Sequence, residues 1–501
     1  MKKIGLDTKK YLKIQKREIL NRIKKFDSKL YLEFGGKLTD DYHCSRVLPG
    51  FEADAKLQLL LQFKKDAEVI ITVNAQDVNN NKVRGDSNLS YQAEVQRLID
   101  VYSTVGIPIA GVVITMYEDT PHIKEFATLI KHRGVKVYKH YKIAGYPKDL
   151  PLILSEQGLG KNEYITTHRK LVIVTAPGPG SGKMATCLSQ LYHAHLRGKK
   201  AGYAKYETFP IWNLPLKHPV NIAYEAATLE LNDGNMIDPF HLEHYKKSAT
   251  NYNRDIASFP LLKAIFEQLY GHSPYHSPTD MGVNMLGFAI VNDKVCKDAA
   301  RYEIVRRYYN ALKDVFLGKY DESIITKAEY LMHDAQAQAQ DRICVKACLD
   351  KQAKAKTHTV AIEIKKGVIV TGKKSKDLTA SAAAIINALK TLGNIKDDIY
   401  LMSPYVLDPI KKMKHESFGY RGRLNLSEAL VALAIQSLTN PLASIALKQL
   451  PLLRGSQAHA SCILMDAERS IFKKLGIDIT EQAASYISTL KIEPEAEIEK
   501  K

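Results

Sequence analysis

The apolar run Leu171-Val-Ile-Val-Thr-Ala176 passes into Pro177-Gly-Pro-Gly-Ser-Gly-Lys183, and helical spacing begins at Met184. A strand, a glycine-rich turn and a helix, in that order, are what a phosphate-binding loop requires. Glycines let backbone N–H groups turn onto phosphate oxygens, the helix start adds partial positive charge, and the lysine reaches the terminal phosphates. Gly178, Gly180, Ser181, Gly182 and Lys183 are therefore the candidate ligand-binding residues, and Lys183 is also a candidate catalytic cation. Two positions depart from the standard pattern. Pro177 stands where the first glycine belongs, and Met184 stands where Ser or Thr would bind magnesium. The missing hydroxyl argues against magnesium-dependent hydrolysis in particular, with Thr186 or Ser181 the candidates to replace it. A glycine-rich turn before a helix, with Lys183 solvated, would carry the same letters.

Weaker candidates surround this one. Glu33-Phe-Gly35-Gly36-Lys37 also ends an apolar run with glycines and a lysine, which suits a second phosphate or acyl-phosphate contact at a sheet edge, or simply a tight turn. Arg84-Gly-Asp86 lies in an Asn-rich loop and can project charge into the same crevice. Between Asn221 and Tyr245 lie Glu225, Glu230, Asp233, Asp238, His241, Glu243 and His244. Hard cations take oxygen ligands, so Glu225 and Asp238 are magnesium candidates. His241 is the candidate acid or base, because imidazole titrates near neutral pH. The run Met285 to Val291 reads as an apolar strand closing on Asp293, a third magnesium candidate, held to the ion through water. Each of these is also readable as a loop cap or surface charge. No zinc is expected: there is no His-Glu-x-x-His, and Cys344 and Cys348 have no second cysteine pair nearby.

The chain that must position these groups has 501 residues, room for two to four domains at roughly 100 to 200 residues each. Its 45% hydrophobic and 25% charged composition is that of a globular protein rather than a disordered or fibrous one. Six scattered cysteines read as packing residues in a reducing compartment. Lys and Arg exceed Asp and Glu by 72 to 54, a net charge of +18, which raises nucleic-acid binding. Outside a basic segment at Met1 to Leu30 the excess is lysines sprinkled singly, and no aromatic-studded basic groove is legible, so a solvated lysine-rich surface is the better reading. No apolar core follows the basic N-terminus, and no apolar run approaches the roughly 18 to 20 residues of a bilayer span. A cytoplasmic protein without a membrane role is expected.

The element pattern is α/β. After an amphipathic helix ending near Phe26, strands at Lys29 to Phe34, Glu68 to Val73, Gly111 to Met116 and Val135 to Tyr141 alternate with helices at Ala53 to Lys65, Gln92 to Thr104 and Ile123 to His132. The beat resumes with Leu171 to Ala176, Met184 to Leu196 and Gly202 to Glu207. Such alternation predicts a Rossmann-like parallel sheet covered by helices. Residues 1–294 are read as this phosphate-binding region and 295–355 as a helical layer or connector. Residues 356–488 are read as a C-terminal α/β domain, and 489–501 as a disordered tail.

In the third part a hairpin over Thr359 to Thr371 and the helix Thr379 to Leu389 resemble the opening of the cytidine-deaminase fold. A strand at Asp398 to Met402 and helices at Leu426 to Leu438 and Leu442 to Leu450 follow. The zinc chemistry is missing, since Thr379-Ala-Ser381 stands where His-x-Glu would begin the helix and there is no Pro-Cys-x-x-Cys. Lys373, Ser375, His459 and Ser461 are candidates to line a second pocket.

Several runs carry a wider resemblance: Tyr31-Leu-Glu-Phe-Gly-Gly-Lys37, Arg46-Val-Leu-Pro-Gly-Phe51, Ala176 to Lys183, Ile237-Asp-Pro-Phe-His241, Tyr252-Asn-Arg-Asp255, Ser277 to Asn284 and Lys474-Leu-Gly476. Across nearly its whole length the chain resembles a bacterial domain-of-unknown-function family of about 500 residues, some members of which are labelled ATP-dependent zinc proteases. The resemblance implies a cytoplasmic bacterial protein. It supplies no catalytic residues, and these residues give the protease label no support. The expected function is a nucleotide- or phosphometabolite-binding enzyme of ligase-like or kinase-like type, with ATP or another phosphorylated ligand and magnesium. The alternative is a non-catalytic, oligomeric phosphometabolite-binding protein.

Overall fold

The computed structural model describes residues 4–483 apart from 27–28, 37, 39–40, 85–88, 232, 366 and 420–421. Lys37, Gly85 and Asp86 of the Arg-Gly-Asp run, and the tail at 489–501, lie outside the described residues. The chain divides into two compact units, 1–300 and 301–501. Among the described residues no helix is long and apolar enough to cross a membrane.

In the first unit the strands are β1 (Leu30–Phe34), β2 (Ala67–Asn74), β3 (Ile109–Thr115), β4 (Val137–Lys139), β5 (Leu171–Thr175), β6 (Gly202–Tyr206), β7 (Asn235–Ile237), β8 (Thr250–Tyr252) and β9 (Gly282–Val283). Seven of them form one sheet in the order β4-β3-β2-β5-β1-β6-β9, every neighbouring pair parallel. β7 and β8 pair antiparallel as a separate ribbon. Every residue of β1 and β5 is buried, which explains why these strands read as largely apolar runs rather than alternating ones, with Glu33 the one charge in β1.

The strand order locates a crevice. From β2 the chain steps outward to β3 and β4; it then returns to place β5 between β2 and β1, and leaves β5 in the opposite direction for β6 and β9. The connections leaving the carboxyl ends of β2 and β5 therefore diverge, and at such a switch point the sheet edge opens into a crevice where ligands of open parallel sheets bind. The glycine loop follows β5 and stands at that point.

The expected strand at Met285 to Val291 is not formed. Only Gly282 and Val283 join the sheet, and Leu286–Ala289 is a turn of 3-10 helix. Asn284 ends the strand: its amide donates to the Thr208 and Pro210 carbonyls, and its Oδ1 accepts from the Leu286 N–H, so the backbone turns away.

The second unit holds a mixed sheet in the order β11-β10-β12-β13, from β10 (Thr359–Lys365), β11 (Val368–Lys373), β12 (Gln457–Ala460) and β13 (Asp478–Glu481). β10 is antiparallel to β11 and β12, and β12 is parallel to β13. The helix Ala380–Leu392 packs so closely on this sheet that a side chain at Gly372 would strike the Ala384 backbone. The stretch read as a helical layer or connector over 295–355 resolves into Asp293–Phe316, Ser323–Asp334 and Ile343–Ala355. Cys344 and Cys348 on the last of these bury against Ala361 of β10, so their four-residue spacing serves packing. No strand forms at Asp398 to Met402. Leu401 and Met402 still enter the core, but the next N–H, of Ser403, donates to Gln436 Oε1 rather than to a strand.

Candidate functional site

The loop after β5 is built for close backbone approach. Gly180 and Gly182 have φ of +73° and +80°, a region that side chains disfavour. A side chain at Gly182 would come within 2.8 Å of the Thr115 hydroxyl, and one at Gly178 would collide with the Tyr91 hydroxyl. Thr115 Oγ1 donates to the Ser181 carbonyl at 3.1 Å, and Asn74 Nδ2 donates to the Gly180 carbonyl at 3.4 Å, so the ends of β3 and β2 brace the loop. The helix Lys183–Leu196 starts at Gly182 without a side-chain cap. Its first turn thus presents amide donors that no side chain of the loop answers.

Both hydroxyls that might replace the missing magnesium ligand point inward. Ser181 Oγ donates to the Gly178 carbonyl at 2.9 Å and is fully buried. Thr186 is fully buried, with its hydroxyl 3.4 Å from His140 Nδ1.

Lys183 is the first helical residue, and its Nζ lies 3.9 Å from Glu33 Oε1 at the end of β1. Tyr203 of β6 donates its hydroxyl to Glu33 Oε2 at 2.7 Å. Burial, then the Glu33 charge, pushes the Tyr203 phenol well above its ordinary value. Glu33 is the register partner of Lys205 on β6. Lys205 Nζ pairs with Asp255 Oδ2 at 2.5 Å and lies 2.9 Å from Glu207 Oε1. Burial alone would lower the lysine, but Asp255, Glu207 and Glu33 outweigh it and keep it charged. For Glu207 burial dominates: with Asp255 opposing the pull of Lys205, its carboxyl rises to about 8. In Asp255 the same burial is overcome by Lys205, and the carboxyl stays ionised below its ordinary value. Lys183, Glu33, Lys205 and Asp255 thus form a row of alternating charge along the carboxyl edge of β5, β1 and β6.

The second glycine-lysine run has a different explanation. Gly36 has φ of +71°, and a side chain there would approach within 2.6 Å of Lys56 Nζ. Lys56 is fully buried, pairs with Asp41 at 2.9 Å and donates to the Gly35 carbonyl at 3.3 Å. Burial raises the Asp41 carboxyl, but Lys56 more than offsets it and holds it below its usual range. Gly36 therefore makes room for an internal lysine, whose hydrogen bond the Gly35 carbonyl accepts.

The residues expected to hold magnesium are not brought together. Asp238 caps the helix Pro239–Tyr245, accepting from the His241 N–H at 3.0 Å and from the Thr279 hydroxyl at 2.6 Å. Glu225 accepts from the Asn235 N–H at 2.6 Å. Asp293 opens its own helix, 2.8 Å from His218 Nε2 and 2.7 Å from Lys297 Nζ. Among the described residues no three His, Cys, Asp or Glu side chains gather as a metal site. His241 sits between Trp212 and Tyr245, with Nδ1 3.0 Å from Ser277 Oγ, and burial lowers its pKa. In the second unit His459 and Ser461 are fully buried within the sheet, bonded to Thr480 and to the Thr359 N–H, while Ser375 shapes an exposed turn.

Sequence reasoning missed Lys205, Glu207 and Asp255. The available signal was Lys205 and Glu207 two residues apart at the close of an apolar strand, which places both on one face of a buried sheet.

Two family models match the chain: the N-terminal part of the domain of unknown function DUF1846 over residues 4–336, and its C-terminal part over 340–489. The UPF0371 protein SpyM50764 of Streptococcus pyogenes serotype M5 (strain Manfredo) is 49% identical over 481 residues, 96% of this chain and 97% of that relative. The UPF0371 protein str1377 of Streptococcus thermophilus (strain CNRZ 1066) matches with the same identity and coverage.

Proposed function

This chain belongs to the DUF1846 family, and we propose that it binds a phosphorylated ligand on the Gly178–Lys183 loop and uses it in a ligase-like or kinase-like transfer. The observation that carries the reading is the placement of this loop at the switch point of a parallel sheet, with Lys183 beside Glu33 at the first turn of an uncapped helix. The sheet is Rossmann-like in this reading and the loop a degenerate P-loop. Its amides and Lys183 stabilise phosphate charge. Glu207, rather than His241, supplies the group that gives and takes a proton, with Lys205 beside it as a fixed positive charge that stands in register with Glu33 on the same edge. ATP is the first nucleotide to test. Resemblance of the second unit to the cytidine-deaminase fold is supported by its antiparallel hairpin and the helix Ala380–Leu392.

The second reading is a non-catalytic phosphometabolite-binding protein. Met184, the inward-facing Ser181 and Thr186, and the dispersal of Glu225, Asp238 and Asp293 favour it. Thermal shift against nucleotides and phosphorylated metabolites, with and without magnesium, on wild type and Lys183→Ala separates the two, since a ligand of the folded state raises Tm by mass action. A magnesium-dependent shift lost in Lys183→Ala supports the enzyme. A magnesium-independent shift lost in the variant supports the binding protein, and no shift at millimolar ligand makes the loop a turn only.

A further inference from the structure

The end of β6 carries more buried polar groups than a phosphate site needs. Lys205 and Glu207 face Asp255, from the first turn of the helix Asn253–Tyr270, and Tyr252, which ends β8. Lys205 Nζ lies 6.0 Å from the centre of the Tyr252 ring, and the Tyr252 phenol feels Tyr224, Glu207 and Asp255 as near neighbours. Asp233 joins through Arg254, whose Nη2 donates to its Oδ2 at 2.8 Å.

Three oxygens of this cluster, Tyr252 Oη, Asp233 Oδ1 and Glu207 Oε1, complete no hydrogen bond of ordinary geometry, although the Tyr224 hydroxyl lies beside the first and Asp255 beside Glu207. Glu207 Oε1 has Lys205 at 2.9 Å, but without hydrogen-bond geometry. Tyr252 is 6% exposed and Asp233 7%, so bulk water reaches them little. Native structures rarely bury such atoms unmatched, and several in one cluster point to partners that arrive with a ligand. Two of the three are carboxyl oxygens and the third is a phenol that donates or accepts, so the complement is a set of groups that both give and receive hydrogen bonds. Hydroxyls do this. A second phosphate would meet the charges of Asp233, Asp255 and Glu33. β1 separates β5 from β6, which puts the loop and this cluster two strand spacings apart, about 10 Å, within the span of one small molecule.

We propose that Tyr252, Asp233 and Glu207 bind the hydroxyl-bearing ring of a phosphorylated sugar, free or within a nucleotide, whose phosphate lies on the Gly178–Lys183 loop. This assignment rests on the phosphate reading of that loop.

The test is calorimetric titration of wild type, Lys183→Ala, Tyr252→Phe and Asp233→Asn with inorganic phosphate, pentyl phosphate, ribose 5-phosphate, glucose 6-phosphate and AMP. A site built to hydrogen-bond hydroxyls rejects an analogue that lacks them, so at least one sugar phosphate or AMP is expected to bind about tenfold or more tighter than pentyl phosphate. Tyr252→Phe and Asp233→Asn should each erase most of that preference and leave pentyl phosphate within about twofold of wild type, whereas Lys183→Ala weakens every phosphate probe. Preference for AMP over ribose 5-phosphate identifies the nucleotide as the source of the ring. Tyr252→Phe keeps the ring packing, and an unchanged Tm of its ligand-free form checks that the loss is not one of folding. Equal affinity of wild type for pentyl phosphate and all the sugar probes overturns the hydroxyl site and leaves the phosphate reading standing. Failure of every phosphate to bind wild type overturns both.

Discussion

Glu33 and Lys205 stand opposite one another on the parallel strands β1 and β6, and Glu33 also receives Lys183 from the helix after β5. One buried carboxylate thereby joins the glycine loop to the charged cluster at the end of β6. Tyr203 fixes its second oxygen, so the carboxylate is held rather than swinging between the two lysines.

That arrangement predicts competition between Glu33 and an incoming anion for Lys183. Glu33→Gln keeps the Tyr203 contact and removes the charge, so inorganic phosphate should bind several-fold tighter by calorimetry, with a steeper dependence on salt because the site is more positive. Weaker binding would mean that the carboxylate helps to hold the ligand.

Lys205 is the counterion that lets Asp255 and Glu207 share a buried site. Removing one partner of such a pair leaves an uncompensated charge. Lys205→Met should therefore cost about 3 kcal/mol, the low end of the range for buried pairs because 19% of the lysine side chain remains exposed. Urea unfolding measures this, and Lys205→Met combined with Asp255→Asn should recover part of the loss. A cost below about 1 kcal/mol would place the pair among solvent-screened surface bridges.

Glu207 makes stability depend on pH with a definite sign. Its carboxyl ordinarily titrates at 4.5 and in the folded chain at about 8, so over that interval the folded state holds a proton the unfolded state has released. The stabilisation is complete below pH 4.5 and declines as pH rises through about 8. Urea midpoints measured from about pH 5 to about pH 9 should fall for wild type and stay flatter for Glu207→Gln. Parallel curves would show that the carboxyl is already ionised at neutral pH.

The loop glycines differ in what they tolerate. Gly180 has φ of +73° and open space around it, so Gly180→Ala should cost only the left-handed backbone penalty of about 1–2 kcal/mol. Gly182→Ala adds a clash with Thr115 and should cost more. Gly178→Ala drives a methyl into the Tyr91 hydroxyl, and Tyr91→Phe in the same chain should restore part of the lost Tm. If Gly178→Ala alone is neutral, the loop is looser than this packing requires.

Much of the frame was readable because burial imposes composition. β1 and β5 had to be largely apolar runs, and the glycine loop announced itself by Gly180 and Gly182, whose backbone angles few other residues accept. What the sequence left open shares a cause. Asp238, Glu225 and Asp293 have the side chains of metal ligands, yet each is taken up by a neighbouring helix end or strand, and composition cannot tell a capping carboxylate from a coordinating one.

By itself, the sequence determined that the chain forms strands and helices in alternation and that one strand runs through a glycine turn into a lysine-led helix, since local sterics and apolar periodicity act over a few residues. Only the tertiary structure decided that β5 lies between β2 and β1, and that Glu33 faces Lys205 with Asp255 and Tyr252 closing over them. Parallel pairing joins strands far apart in the chain, so their register follows from how whole faces pack, which no local pattern encodes.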